Sequence, residues 1–290
     1  MEDRQSRFCN FGPKVEIKRS KFDLSEKVAV ITGGAGLFGT AHAEAIAEFG
    51  GIPILVDIDE KNTQKKAKKI AETFSGQCFG YAADITNKSQ LENLCHELVK
   101  KLGRVDILIN NAANNPKQES ESKKDWSRLE NLELNYWNDD ITVGLTGAFL
   151  CSQVFGTHMA KNRSGVILNI ASDLGVIAPD QRIYRQTDLP DDQQPTKPVT
   201  YSVVKHGLIG LTKYLATYWA DKGIRSNSIS PGGIFNNQPD EFVNKLTNLI
   251  PQGRMANRDE YKSAVVFLVS DASSYMTGSN LIMDGGRTSW

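Results

Sequence analysis

Val28-Ala-Val-Ile-Thr-Gly-Gly-Ala-Gly-Leu-Phe-Gly39 is the segment around which the rest of this chain is arranged. Val28 to Ile31 is a short apolar, β-branched run of the kind that forms a strand buried on both faces. Thr32 to Gly36 reads as a tight glycine-rich turn, and Phe38 onward as an alanine-rich helix that ends at Gly50-Gly51. Strand, glycine turn and helix in that order bring unpaired backbone N–H groups and the positive end of a helix dipole to one point. Glycines let the backbone approach a ligand there without an intervening Cβ, so a pyrophosphate fits. Glycine turns are common in loops, and it is the flanking strand and helix that make this one a nucleotide site.

Working outward, the 290 residues suit a large α/β domain, and 40% hydrophobic residues suffice for a buried core. The 34 basic residues balance 34 acidic ones, which points away from nucleic acid and from an anionic membrane surface. No apolar run reaches transmembrane length, and Met1-Glu-Asp-Arg-Gln-Ser-Arg7 lacks the core of a signal peptide, so a cytoplasmic protein is expected. Cys9, Cys78, Cys95 and Cys151 are scattered and read as reduced thiols. The four histidines show no ligand spacing, so no metal is expected.

Residues 1–24 are polar and read as an extension draped outside the core, leaving residues 25–290 as the domain. Strands are expected at Ile52 to Val56, Cys78 to Ala82, Val105 to Ile109, Val166 to Ile170, Arg225 to Ser230 and Asn280 to Met283. Helical stretches separate them, including a long one from about Leu134 to Lys161 and another from Tyr201 to Lys222. The alternation implies an α/β fold with a doubly wound parallel sheet, whose ligands bind beyond the carboxyl ends of the strands.

Two constellations carry chemistry. Asp57 closes the second strand, and its carboxylate can accept both hydroxyl hydrogen bonds of an adenosine ribose. It would repel a 2′-phosphate, and Ile58-Asp59-Glu60 supplies no cation, so NAD is favoured over NADP. The second is Tyr201-Ser-Val-Val-Lys205 with Ser172. The i, i+4 spacing places phenol and ammonium on one helix face. A free phenol has a pKa of about 10, and a neighbouring lysine together with a positive nicotinamide ring would lower it into a useful range. Ser172, just past the fifth strand, would hydrogen-bond a substrate carbonyl oxygen.

From about Leu24 to Arg287 the chain resembles the short-chain dehydrogenase/reductase family, whose domain is a Rossmann fold. The resemblance rests on Thr32-Gly-Gly-Ala-Gly-Leu-Phe-Gly39, Asp57, Asp84-Ile85, Asn110-Asn-Ala-Ala113, Asn169-Ile-Ala-Ser172, Tyr201 with Lys205, Pro231-Gly232 and Asp284-Gly-Gly286. It implies that Tyr201 gives or takes the proton, that Lys205 holds the nicotinamide ribose and tunes Tyr201, and that Ser172 orients the substrate. It further implies cofactor contacts at Gly33, Gly36, Leu37, Phe38, Gly39, Asn111, Ala112 and Ile234, with Asp84 and Ile85 beside the adenine. Asn110 would pin the sheet near the cofactor, and Pro231-Gly232 would pass the nicotinamide. A homodimer or homotetramer follows from the same resemblance, with Leu208, Leu211, Leu215, Tyr218 and Trp219 as core or interface. The C-terminal half is most similar to flagellin-modification and surface-glycan dehydrogenases.

Departures from the family pattern shape the expectations. Leu37 stands where the single-domain branch has glycine, a placement that resembles the extended branch of nucleotide-sugar epimerases and dehydratases. Yet the residues after Ser230 already hold the last helix and strand and leave no room for a second domain. Gly144 stands where the family usually has a catalytic Asn; glycine keeps the main-chain carbonyl, so activity should be reduced rather than abolished. Asn236 replaces a Thr and can still donate to a phosphate. Ser172 and Tyr201 lie 29 residues apart, about twice the family's usual spacing, with a polar loop at about 179–198 beside the reactive tyrosine.

That loop suits a hydroxylated or charged substrate such as a sugar or sugar nucleotide. Residues 235–254 read as a lid, and Arg182 and Arg254 as candidate anion contacts. His206 points off the Tyr201/Lys205 face and reads as structural. The expected activity is NAD-linked alcohol–carbonyl interconversion on a small polar molecule. The alternatives are an epimerase or dehydratase with retained NAD, suggested by Leu37, and a non-catalytic NAD-binding scaffold, suggested by Gly144.

Overall fold

The computed structural model describes residues 20–114 and 125–290; the greater part of the N-terminal extension, with Cys9, and most of the hydrophilic stretch after Asn114 lie outside them. Seven parallel strands form one sheet in the order β3-β2-β1-β4-β5-β6-β7. They are β1 (Val28–Thr32), β2 (Ile52–Asp57), β3 (Phe79–Ala82), β4 (Ile107–Asn110), β5 (Gly165–Ile170), β6 (Ile224–Pro231) and β7 (Asn280–Met283). Helices cover both faces: α1 (Leu37–Glu48), α2 (Glu60–Thr73), α3 (Lys88–Leu102), α4 (Leu134–Ile141), α5 (Gly147–Lys161), α6 (Val199–Tyr218), α7 (Asp240–Thr247) and α8 (Lys262–Val269).

The apolar run of β1 is continuous because both of its faces are covered. Ala29 and Ile31 enter one core layer with Leu55, Ile107, Leu168 and Val265. Val28 and Val30 enter the other with Ile54, Leu108, Phe155 and Leu215. Leu24, at the end of the stretch read as an extension, is buried in the first layer, and its N–H donates to the Phe49 carbonyl at 2.9 Å. Strand order reverses between β1 and β4, which opens a crevice at their carboxyl ends.

Two elements carry detail that the sequence reading did not specify. The helical stretch from Leu134 to Lys161 is continuous but not uniform: α4 and α5 are joined by a π-helical turn, Thr142–Thr146, with Gly144 buried inside it. A Cβ on Gly144 would stand 2.6 Å from Val204 Cγ1 on α6, so only glycine fits the crossing as it is packed. The second is α7, which lies within the stretch read as a lid; it is amphipathic and buries Leu246.

Candidate active site

The crevice is a cavity of about 750 Å³, walled at one end by the glycine turn. Gly33 has a φ of +62°, and a Cβ there would come 2.9 Å from Ala112 Cα, so the end of β4 packs directly against the turn. Asn111 binds the two together: its side-chain amide donates to the carbonyls of Thr32 (2.9 Å) and Gly33 (3.2 Å). In return, the Thr32 hydroxyl oxygen accepts the N–H groups of Asn111 (3.0 Å) and Ala112 (3.1 Å). Gly36 caps α1, and no side chain caps the helix start, which leaves first-turn N–H groups for a ligand.

Asp57 Oδ2 accepts the Ala35 N–H at 3.0 Å and its Oδ1 accepts the Ile58 N–H at 2.9 Å, which holds the carboxylate on the cavity wall. Gly33, Gly36, Leu37, Phe38, Asp84, Ile85, Asn111, Ala112, Pro231, Gly232 and Ile234 line the same cavity, as does Asn236. Gly39 does not. It lies inside α1, where a Cβ would collide with the Gly33 carbonyl, and so it allows the turn to fold back on its helix.

At the other end stand Ser172, Tyr201 and Lys205. A buried polar ladder sets their elements in register: Asn110 Nδ2 donates to Asn169 Oδ1 (2.8 Å), and Asn169 Nδ2 to Thr212 Oγ1 (2.8 Å), linking β4, β5 and α6. One turn after Tyr201, buried Lys205 donates to the Ile170 carbonyl at 2.8 Å, with its ammonium 5.6 Å from the Tyr201 ring centroid. Ser172 Oγ donates to Asp173 Oδ1 (2.7 Å) and also hydrogen-bonds the Tyr201 hydroxyl. Asp173 is in turn held by buried Arg287, Nη1 to Oδ2 at 2.7 Å.

The protein's own groups do not by themselves depress the phenol. Burial pushes the Tyr201 phenol above its ordinary value; the Ser172 hydrogen bond opposes this, and the Asp173 charge adds to it. Lys205 is itself lowered to about 8 by burial and by the charge of Lys197. A buried ammonium tied to a carbonyl does not by itself make the phenol acidic.

The loop at about 179–198 is ordered by its own polar groups. Buried Gln194 accepts the Gln186 N–H (2.8 Å) and donates to the carbonyls of Gln186 (2.9 Å) and Leu189 (2.5 Å). Gln181 exchanges two hydrogen bonds with the backbone of Lys197 (2.8 and 3.2 Å). Lys245 on α7 reaches the Arg185 carbonyl at 2.6 Å, and the Tyr184 and Phe242 rings meet at 5.6 Å, so lid and loop form one wall. Arg182 and Arg254 are not on it: the first is paired with Asp180 and 81% exposed, the second paired with Glu260 and 51% exposed. His206 faces outward, its Nδ1 2.9 Å from the Ser202 carbonyl.

The sequence reading counted Lys197 only among the polar groups of the loop and gave no role to Asp173 or Arg287; all three line the cavity. The available signals were a lysine four residues before Tyr201, an acid beside Ser172, and the arginine that ends the Asp-Gly-Gly-Arg287 run.

This sheet order, glycine turn and Ser–Tyr–Lys cluster define a nicotinamide-nucleotide-dependent α/β oxidoreductase. A family model described as short chain dehydrogenase matches residues 27–184, and one described as Enoyl-(Acyl carrier protein) reductase matches residues 192–288. The chain belongs to the short-chain dehydrogenase/reductase family. It is 32% identical to an NADP-dependent mannitol dehydrogenase of Alternaria alternata over 94% of this chain and 97% of the relative. It is 33% identical to an NAD-dependent glycerol dehydrogenase of Listeria innocua over 92% and 96%. The post-translational flagellin modification protein A of Campylobacter coli is 28% identical over 91% and 98%. Among solved structures, a gluconate 5-dehydrogenase from Burkholderia cenocepacia in complex with NADP and tartrate superposes with a TM-score of 0.80 at 26% identity, over 93% of this chain and 98% of that one. Relatives of both cofactor types are thus present. Among the described residues no helix is long and apolar enough to cross a membrane.

Proposed function

We propose that this protein is an NAD-linked dehydrogenase that interconverts an alcohol and a carbonyl on a polyhydroxylated small molecule of the sugar-alcohol or sugar type, with Tyr201 as acid/base. The observation that carries the reading is the placement of Ser172, Tyr201 and Lys205 in the same cavity as the glycine turn and Asp57. The uncapped start of α1 would receive the pyrophosphate, Asp57 the adenosine ribose, Asp84 and Ile85 the adenine, and Lys205 the nicotinamide ribose. When bound, the nicotinamide supplies the hydride acceptor and a positive charge.

The chain's own groups then do the following. Ser172 orients the carbinol oxygen toward the Tyr201 hydroxyl, which takes the alcohol proton in oxidation and returns it in reduction. Asp173 holds the serine hydroxyl, and Arg287 neutralises Asp173. Asp57 supports NAD over NADP, because a 2′-phosphate would meet its carboxylate. The names of the relatives support the substrate class. Tyr214 and Tyr218, stacked at 5.5 Å on the exposed side of α6, support a homo-oligomeric assembly through that helix. The buried thiols of Cys78, Cys95 and Cys151 suit the reducing cytoplasm.

Tyr201→Phe provides the test. Removing a general acid/base is expected to lower alcohol-dependent NAD⁺ reduction by about 10²- to 10⁴-fold. Binding of NADH, read by its fluorescence, should persist. Undiminished turnover in the variant would end the assignment.

A further inference from the structure

The reading above leaves one cation on the substrate side without a task. Two adjoining cavities, of about 750 and 650 Å³, meet along Tyr184, Lys197, Tyr201 and Phe242. Their described linings contain five cations: Arg185, Lys197, Lys205, Arg287 and Lys245. Four have conventional acceptors. Arg287 is paired with Asp173, Lys245 with Glu241, Arg185 with Asp191, and Lys205 donates to the Ile170 carbonyl. Lys197 has neither a carboxylate nor a carbonyl acceptor among the described residues. Its ammonium lies over the Tyr201 ring, 3.8 Å from the centroid.

The two acids nearest to it in charge, Asp140 and Asp173, are committed elsewhere: Asp140 accepts from the Thr200 hydroxyl, and Asp173 from Arg287 and Ser172. The position of Lys197 is also built. Gln181 fixes its backbone from both sides, and Thr196, its neighbour, donates to the Ser127 carbonyl at 2.8 Å. A half-buried ammonium with no carboxylate in contact is costly, and desolvation lowers it to about 8 against the opposing charges of Asp173 and Asp140.

We infer that Lys197 receives the carboxylate of the substrate, so that the preferred substrate is an acyclic polyhydroxy acid of the aldonate type rather than a neutral polyol. The inference rests on the dehydrogenase reading and replaces its neutral polyol or sugar by the corresponding polyhydroxy acid. A carboxylate fits better than a phosphate monoester, because one ammonium matches one charge, and among the described residues both arginines of the lining are already paired with carboxylates, which leaves no free fork to hold a dianion. The geometry also places the acid group. The ammonium sits over the ring whose hydroxyl meets the carbinol, so carboxylate and oxidised carbon are close neighbours along one chain. The step itself is unchanged: the carbinol C–H bond breaks, its electron pair leaves with hydrogen as hydride to the bound nicotinamide, and the O–H proton goes to Tyr201.

The experiment uses matched pairs that differ only in carboxylate against CH₂OH: glycerate and glycerol, erythronate and erythritol, xylonate and xylitol, gluconate and glucitol. Each is assayed with NAD⁺ and NADP⁺ on wild type, Lys197→Met and Lys197→Arg. The wild type should prefer the acid of the best pair, chiefly through KM. Lys197→Met should lower the acid-to-polyol ratio of kcat/KM by about 10- to 100-fold, as for a charge-assisted hydrogen bond, and Lys197→Arg should restore part of it. A wild-type preference for the polyols, or an equal loss on both members of a pair in Lys197→Met, overturns the inference; the equal loss would mean that Lys197 acts only through Tyr201. If the wild type turns over no member of the panel, the dehydrogenase reading fails separately. Titration of the NADH-loaded protein with gluconate and glucitol, read by nicotinamide fluorescence, then decides: acid-selective binding lost in Lys197→Met upholds the carboxylate site, and equal or absent binding rejects it.

Discussion

Gly144→Ala probes the packing that holds Tyr201 and Lys205 in place. The added Cβ would lie 2.6 Å from Val204 Cγ1 and 3.3 Å from Cγ2, against the roughly 3.5–4 Å at which carbon atoms sit comfortably. Two opposing effects must be weighed. Replacing glycine in a helix gains about 1 kcal/mol of backbone entropy. Overpacking by about one methyl costs about 1–3 kcal/mol. The collision is with buried side-chain carbon on a helix crossing, which has little room to give, so overpacking should win by about 1 kcal/mol and lower Tm by about 2–4 °C.

Activity should fall further than stability, because the displaced residue lies between Tyr201 and Lys205 on α6, and a shift of about 1 Å in reacting groups can cost about 10²-fold. Val204→Ala is the control. In that background the added methyl has space, so Gly144→Ala should become stabilising, with a coupling of about 1–3 kcal/mol across the cycle. Thermal or urea unfolding of the four proteins, with kcat/KM for each, settles it. If Gly144→Ala stabilises the wild-type background, or if the two substitutions add, the proposed steric pairing is wrong. The same collision bears on the expectation drawn from the family pattern. Asn at 144 carries the same Cβ, so it is expected to impair this site rather than restore it.

Two further outcomes follow. Asp57→Ala removes the carboxylate proposed to hold the ribose and the acceptor of the Ala35 N–H, and should weaken NADH binding by about 10- to 100-fold with a smaller effect on NADPH; an unchanged ratio of the two dissociation constants contradicts the proposed NAD preference. His42 is buried in α1 with no hydrogen-bond partner for either ring nitrogen among the described residues, and burial, with the Arg258 charge, lowers it from 6.5 to about 4. The native state therefore binds fewer protons than the unfolded chain between these values, and stability falls as pH drops through that window. Between pH 7.5 and 4.5 the loss from this group is about 2–3 kcal/mol; it should be absent from His42→Leu and so appear in the wild-type-minus-variant difference, measured by urea midpoints; parallel curves would refute it.

Much of the site is local in sequence, and so was legible there. The strand–glycine–helix order at Val28–Gly39 can form only one kind of turn, the five residues from Tyr201 to Lys205 share a helix face by period alone, and Asp57 is placed by ending a strand. The uninterrupted apolar run of β1 likewise announced a sheet covered on both faces, since no position in it could face water. What stayed hidden depends on residues far apart in the chain. The π turn at 142–146 and its Gly144–Val204 contact pair positions that no periodicity connects. Arg182 and Arg254 looked available as anion contacts until neighbouring carboxylates claimed them, whereas Lys197 was one of many hydrogen-bonding groups in the polar loop beside Tyr201, with nothing local to set it apart. It became an inward-facing ammonium only because Gln181, Gln194 and Ser127 fold its loop over Tyr201. Backbone period and turn chemistry are properties of neighbouring residues and can be read in order. Which charges meet a partner, and which are left facing a cavity, is decided by packing that the linear chain does not carry.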